Sequence, residues 1–232
     1  MDFGLDKKSN SLKTFNTIFI VIWLLLACFP FIWTFWGSFK VRADFFSRAD
    51  WWYAITAFNT LIETGARFTK EAYSGAWFEG EFWKASRNTV IVTISVVSIS
   101  LFLGTLGAYA LSRSTKNYAF WILIIALIFR AMPHITLVSG YLFPFFQLQI
   151  WGILPTTIVV LVAINQPFTL WLLYSFFKTV PKELDESALI DGCSYFQAFR
   201  HIIMPVMWPG VITAGLFSLM LAYNDFTVTA LL

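Results

Sequence analysis

Residues 185–205, DESALIDGCSYFQAFRHIIMP, place four charged side chains and a histidine between two long apolar tracts. Acidic and basic side chains at this density can form charge-assisted contacts with another molecule. They do not form a catalytic or metal-binding pattern. No paired carboxylates or Ser/His/Asp arrangement is evident, and neither His134 nor His201 has Cys, Asp or Glu at ligand spacing. The segment therefore indicates recognition of a partner rather than catalysis in this chain.

The start of this region has the signals of a short helix over 181–190. Pro181 suits the first turn, where the N–H that proline lacks would have no helical partner. Three acidic residues follow near the positive end of the helix dipole: Glu183, Asp185 and Glu186. Gly192, after Asp191, ends the helix because glycine adopts the left-handed backbone of a helix C-terminus.

The second half predicts another helix over 195–204. Ser194 followed by Gln197 has the form of a capping box, and an apolar side repeats at Phe196, Phe199 and Ile203. Two prolines are then expected to disrupt the start of the next apolar tract: Pro205 and Pro209.

Residues 181–205 are called the two-helix insert below. Its first helix is acidic, whereas a helix that lies on lipid usually has a basic polar face. The charge therefore favours a protein partner. An ordinary amphipathic loop at the membrane interface is the alternative.

The tracts around the insert must position it, and their composition places them in a membrane. The chain is 58% hydrophobic and 12% charged, with a mean hydropathy of +0.70, which is too apolar for a soluble domain of this size. A helix needs about 20 apolar residues to cross a bilayer. The tracts that meet this length are 14–39, 88–112, two within 117–177 separated by a turn at 147–155, and 201–224. The sequence predicts an all-α polytopic membrane protein with about five spans.

Basic residues in the short loops set the predicted orientation. They precede the first span, follow the second and follow the fourth: Lys7, Lys8, Lys13, Arg113, Lys116, Lys178, Lys182 and Arg200. This places the N-terminal segment 1–13 and the insert in the cytoplasm, and the loop 40–87 outside. Tryptophans in that loop suit an interfacial belt: Trp51, Trp52, Trp77 and Trp83. Residues 88–232 form the predicted transmembrane core, and nothing suggests a nucleic-acid partner.

Polar residues within the spans are candidates for a solute pathway. Arg130 is costly in hydrocarbon, so it is expected to face a cavity, a gate or a structural partner. Asn165 and Gln166 can hydrogen-bond solute hydroxyls or pack between helices. Asn224 and Asp225, near the outer end of the fifth span, suit an outer gate, a binding-protein contact or a solvated helix end.

The insert resembles the EAA loop of binding-protein-dependent ABC importer permeases. The matching positions are Glu186-Ser187-Ala188, Gly192 six residues after Glu186, Ile202, and Met204-Pro205. Ser187 and Met204 depart mildly from the family pattern. Further stretches resemble the MalG-like branch of carbohydrate permeases, among them PFIWTFWGSFK (30–40), FRAMP (129–133) and AYNDF (222–226).

This resemblance implies the transmembrane domain of a type I ABC importer in a bacterial or archaeal cytoplasmic membrane. Its implied partners are a second permease subunit, two ATPase subunits that bind ATP and Mg²⁺, an extracytoplasmic binding protein, membrane lipid and a small-molecule solute. The implied solute is a carbohydrate or polyol. The residues implied to couple transport to the ATPases are Glu186, Ser187, Ala188, Asp191, Gly192, Phe196, Phe199, Ile202 and Pro205. The chain itself has no GxxxxGK[ST] phosphate loop and no expected cofactor.

The family's sixth span is expected to be missing after AYNDF. Two alternatives remain at this point. A secondary transporter driven by an ion gradient would need acidic residues within the membrane, and the first four predicted spans have none. An ABC permease for a solute other than a sugar would share the same scaffold.

Overall fold

The computed structural model describes residues 5–39 and 71–231. The chain divides into two units, residues 1–83 and 84–232, and each is described by itself. Trp51 and Trp52, like most of the predicted outer loop, lie outside the described residues.

The first unit contains one long helix, α1, Leu5–Gly37. It includes most of the first predicted span and extends further toward the N-terminus, with the apolar stretch Leu12–Phe35 long enough to cross a membrane. A short helix, α2 (Glu71–Ser74), continues as a π-helical turn over Gly75–Glu79. The Ser38 and Tyr73 hydroxyls hydrogen-bond at 2.6 Å.

The described part of the second unit is helical and contains the other predicted spans. Its elements are α3 (Phe82–Arg113, which begins at the unit boundary), α4 (Tyr118–Ala131), α5 (His134–Gln147), α6 (Leu154–Thr179), α7 (Glu183–Ile190), α8 (Tyr195–Ala198), a π-helical turn (Phe199–Ile203), α9 (Met204–Asn224) and α10 (Phe226–Leu231). Within the described residues, four helical stretches are long and apolar enough to cross a membrane, or five if α4 and α5 together form one span. The all-α prediction with about five spans is confirmed.

The predicted third span is sharply bent rather than continuous. Helices α4 and α5 meet at 91°, with Met132 in an extended conformation and Pro133 before α5. A residue before proline is disfavoured in the helical region, and proline cannot donate a helical hydrogen bond. The Met132–Pro133 pair therefore explains the break, which the sequence analysis did not predict.

Small residues allow α3, α6 and α9 to approach one another closely. A Cβ atom added at Gly104 of α3 would lie 3.1 Å from Thr169 Cγ2 of α6. One added at Gly215 of α9 would lie 3.1 Å from Leu101 Cδ1 of α3. Small residues at helix interfaces are typical of membrane bundles, where close packing replaces the hydrophobic effect as the source of association.

The expected disruption by Pro205 and Pro209 is wrong. The chain stays helical from Tyr195 to Asn224, through the π-helical turn and into α9. Pro205 directly follows the π-helical turn, and Pro209 lies inside α9. The Met204 N–H bonds to the Phe199 carbonyl, five residues back, so the widened turn accommodates the proline.

Candidate functional site

The turn at Gly192 is closed by two backbone hydrogen bonds. The Cys193 N–H donates to the Ala188 carbonyl at 3.0 Å, and the Gly192 N–H donates to the Leu189 carbonyl at 3.1 Å. With Gly192 at φ +86°, this is a Schellman motif, in which a left-handed residue ends the helix and satisfies its last carbonyls. The helix end inferred from Asp191-Gly192 therefore has a specific geometry.

The predicted capping box at the start of α8 is present. The Gln197 N–H donates to Ser194 Oγ at 3.3 Å, and the Ser194 N–H donates to Gln197 Oε1 at 2.8 Å. These bonds satisfy backbone donors at the helix start. Two ordered helix ends thus lie only a few residues apart, which fixes how α7 leads into α8.

The insert exposes a mixed acidic and apolar surface around this turn. We define the docking face as Glu186, Ile190, Asp191, Tyr195 and Phe196, all of which are exposed. Ile190 is 86% exposed, Tyr195 72% and Phe196 63%. Ile190 and Tyr195 were not among the residues predicted from the sequence. Large apolar side chains on both sides of a polar turn could have indicated a binding surface there. Three other residues predicted to couple transport to the ATPases are also exposed: Ser187, Gly192 and Pro205.

Other candidate coupling residues point inward. Ala188 is 1% exposed and Phe199 9%, and Ile202 is partly buried. Phe199 packs with Ile203 in a core that includes Phe177 of α6 and Met207 of α9. These residues attach the insert to the long helices, so they are placed to hold the docking face rather than to form it.

A partly buried polar cluster joins the insert to the ends of α3 and α6. We call Tyr109, Arg113 and Asp185 the Asp185 cluster. The Tyr109 hydroxyl donates to Asp185 Oδ1, and Arg113 Nε lies 2.8 Å from Asp185 Oδ2 as an ion pair. Arg113 Nη1 also donates to the Val180 carbonyl at 3.0 Å and to the Phe177 carbonyl at 3.3 Å, where α6 ends.

From the sequence, Arg113 is predicted only to mark the inner side of the membrane, and the cluster is not predicted. Tyr109 and Arg113 lie four residues apart and therefore share one face of α3. That spacing was visible, but their partner is 76 residues away from Tyr109 in the chain.

A second polar arrangement lies where two helix breaks meet. His134, at the start of α5, is hydrogen-bonded through Nε2 to Arg130 and through Nδ1 to Asp225 Oδ2 at 3.1 Å. Because arginine only donates, Nε2 is the acceptor and Nδ1 carries the proton toward the carboxylate. Asp225 Oδ1 accepts from the Val228 N–H at 2.9 Å and so also caps α10. Asp225 was expected, with Asn224, near an outer gate or a solvated helix end, whereas His134 was not predicted as a site residue.

This arrangement borders a pocket of about 440 Å³. Its lining includes His134, Asn224, Asp225 and the aromatic rings of Phe168 and Phe217, whose centroids are 6.0 Å apart. Of the four pathway candidates, Asn224 lines the pocket and Arg130 contacts the lining residue His134.

Asn165 and Gln166 lie elsewhere, in the packing of α6. Asn165 is 3% exposed, and Gln166 Nε2 would lie 3.3 Å from a Cβ atom added at Gly104 of α3. Within the described part of the chain, Asn165 Nδ2 and Gln166 Oε1 have no hydrogen-bond partner. The structure therefore does not bring all four pathway candidates into one site.

Membrane-length helices joined by an ordered, partly exposed insert define a multi-pass membrane protein with a surface suited to a partner. The sequence profile of the family described as "binding-protein-dependent transport system inner membrane component" matches residues 97–232. The chain belongs to this family, the permease subunits of ABC importers, and is a multi-pass protein of the cytoplasmic membrane.

Two relatives illustrate this similarity. The trehalose/maltose transport system permease protein MalG of Thermococcus litoralis is 31% identical over 209 residues, which cover 89% of this chain and 70% of that protein. The diacetylchitobiose uptake system permease protein NgcG of Streptomyces coelicolor is 30% identical over 217 residues, or 89% of this chain. The match spans 65% of the length of NgcG.

A solved structure shares the fold. The crystal structure of a bacterial ABC transporter involved in the import of the acidic polysaccharide alginate matches with a TM-score of 0.72. The match covers 97% of this chain and 74% of the other at 19% identity, so it supports the fold alone. It confirms the type I importer transmembrane fold that the sequence resemblance implied.

Proposed function

We propose that this chain moves a carbohydrate or polyol across the cytoplasmic membrane by alternating access, driven by ATPase subunits that bind its two-helix insert. The observation that carries the proposal is the geometry of the insert. The turn between its two helices is fixed by a Schellman motif and a capping box, and its docking face is exposed. A rigid projection of this kind can transmit a push, whereas a flexible loop would absorb it.

The docking face has the composition of a protein interface. Ile190, Tyr195 and Phe196 offer large apolar side chains that can fill a groove, and fully desolvated aromatic residues often dominate binding energy. Glu186 and Asp191 lie beside them and can pair with basic residues at the rim of that groove. The expected partner is therefore a groove with an apolar floor and a basic edge.

Energy for transport comes from the partners in this proposal. Two ATPase subunits bind ATP and Mg²⁺ and move together on binding nucleotide. A second permease subunit completes the pathway, and an extracytoplasmic binding protein delivers the solute. This chain supplies half of the membrane pathway and one insert.

The cargo proposal rests on the relatives and on the pocket. NgcG is named for diacetylchitobiose uptake and MalG for trehalose and maltose transport. The pocket combines paired aromatic rings with the Asn224 side chain, a combination suited to a hydroxylated ring. A solute of another class is the second candidate, since most of the pocket lining is apolar.

The proposal requires the insert to be in the cytoplasm, and thiol labelling tests this. Cysteines are introduced singly at Lys116, Lys182 and Trp77, all exposed, in a chain whose Cys28 and Cys193 are replaced by alanine. In intact cells, an impermeant maleimide should label Trp77→Cys but not Lys116→Cys or Lys182→Cys. The reason is that short loops rich in Lys and Arg, such as those containing Lys116 and Lys182, lie on the cytoplasmic side of the membrane.

Labelling after permeabilisation serves as the control, because all three cysteines should then react. Labelling of Lys182→Cys in intact cells would place the insert outside. ATPase docking to the insert would then be impossible, and the proposed function would fail.

A further inference from the structure

We propose that Arg113 and Asp185 are positioning residues that transmit movement of the two-helix insert to the long helices α3 and α6. This inference rests on the proposed function, since it concerns what happens after an ATPase has docked. It is carried by the Asp185 cluster, which lies beneath the docking face and not on it.

Arg113 links three separate elements. It belongs to the last turn of α3, it donates to the carbonyls of Phe177 and Val180 at the end of α6, and it pairs with Asp185 in the first turn of α7. The side chains of Arg113 and Asp185 are only 16% and 13% exposed. An ion pair shielded from water resists separation far more than a surface pair does.

The cluster is also held from the side by aromatic packing. The Tyr109 ring lies 5.6 Å from the Phe177 ring and 4.8 Å from the Phe199 ring, measured between centroids. The Arg113 guanidinium carbon lies 5.6 Å from the Tyr109 ring centroid. Tyr109 thus touches α6, the second helix of the insert and, through its hydroxyl, the first helix of the insert.

These contacts give the insert two different attachments. Phe199 and Ile203 bind its second helix to the apolar core, next to α9, with which it is continuous. The first helix, which presents Glu186 and Ile190, has Asp185 as its ionic contact with α3 and, through Arg113, with the end of α6. The first helix also has an apolar contact, since Leu184 packs against the same core. Loss of the ion pair would therefore weaken the link between α7 and α3 without releasing α7 from the bundle.

The test uses the complete transporter, reconstituted with both permeases, the ATPases and the binding protein. Three variants weaken the cluster: Arg113→Gln, Asp185→Asn and Tyr109→Phe. Lys116→Gln is the matched control, because it removes the same charge from an exposed residue just after α3. Three quantities are measured for each: ATPase co-purification, ATP hydrolysis, and solute taken up per ATP hydrolysed.

We expect Arg113→Gln and Asp185→Asn to keep the ATPases bound and hydrolysing ATP while uptake per ATP falls about ten-fold, in the range of known coupling effects. The double variant should lose no more than either single variant, since the two residues act through each other. Tyr109→Phe should give a smaller loss, and Lys116→Gln none.

Unchanged uptake per ATP in both ionic variants would overturn the proposal. A parallel fall in ATPase binding and hydrolysis would also overturn it, because the cluster would then only shape the docking face. If none of the three variants accumulated in the membrane, the cluster would serve folding and the proposal would fail. Failure of the unaltered chain to bind any ATPase would instead refute the proposed function, so the two failures are distinguishable.

Discussion

Replacing Glu186 with lysine is expected to abolish solute uptake while the chain still reaches the membrane. Glu186 is exposed on the docking face, so the substitution leaves the packing of the long helices intact. Against the basic edge that we propose for the ATPase groove, it would turn an attraction into a repulsion of about 2 to 5 kcal/mol. That corresponds to a loss of binding of about 30-fold or more.

A milder substitution at Glu186 and a control substitution far from the insert make this experiment more specific. Glu186→Gln removes the attraction without adding repulsion and should give an intermediate loss of uptake. Glu79→Lys makes the same change of charge on the exposed segment that precedes α3 and should have no effect on ATPase binding. An acidic substitution in the ATPase groove should restore part of the uptake of Glu186→Lys. Normal uptake by Glu186→Lys would show that Glu186 makes no contact with an ATPase.

Substituting Gly192 with valine is expected to weaken ATPase association without preventing membrane insertion. Gly192 has φ +86°, and an added Cβ atom would meet nothing within 4 Å. The cost is therefore backbone strain alone, about 1 to 2 kcal/mol for a β-branched residue in the left-handed region. If this strain deforms the turn, ATPase co-purification should fall about ten-fold.

Gly140 provides the matched control for Gly192. An added Cβ atom at Gly140 also meets nothing within 4 Å, but Gly140 lies inside α5 and has no positive φ. Gly140→Val should therefore bind the ATPases normally. Equal binding by both variants would mean that the left-handed turn does not determine the shape of the docking face.

Local signals in the sequence predicted the insert well. A glycine after an acidic helix and a Ser–Gln pair three residues apart specify helix ends through backbone chemistry, and both ends are found in the structure. The apolar tracts predicted membrane-length helices for a similar reason, because an unpaired backbone cannot be left in hydrocarbon.

Contacts between distant residues could not be predicted in the same way. The side chain that Arg113 meets depends on how α3, α6 and α7 pack, and nothing near Arg113 in the chain identifies Asp185. The same is true of His134 and Asp225, whose hydrogen bond joins residues 91 positions apart. Phe199 had the type and spacing of an interface residue, but the bundle covers it. The Met132–Pro133 pair signals the bend locally, but the long apolar tract around it favours a continuous span.

The energy source for uptake tests the central claim most directly. Membrane vesicles containing the complete transporter are prepared so that ATP and the proton or sodium gradient are set independently. Uptake of a labelled disaccharide is then measured, and a labelled amino acid serves as the control solute. The account predicts disaccharide uptake that requires ATP, persists when the gradient is dissipated and is lost in Glu186→Lys. Uptake sustained by the gradient alone, without ATP, would contradict the account and identify a secondary transporter.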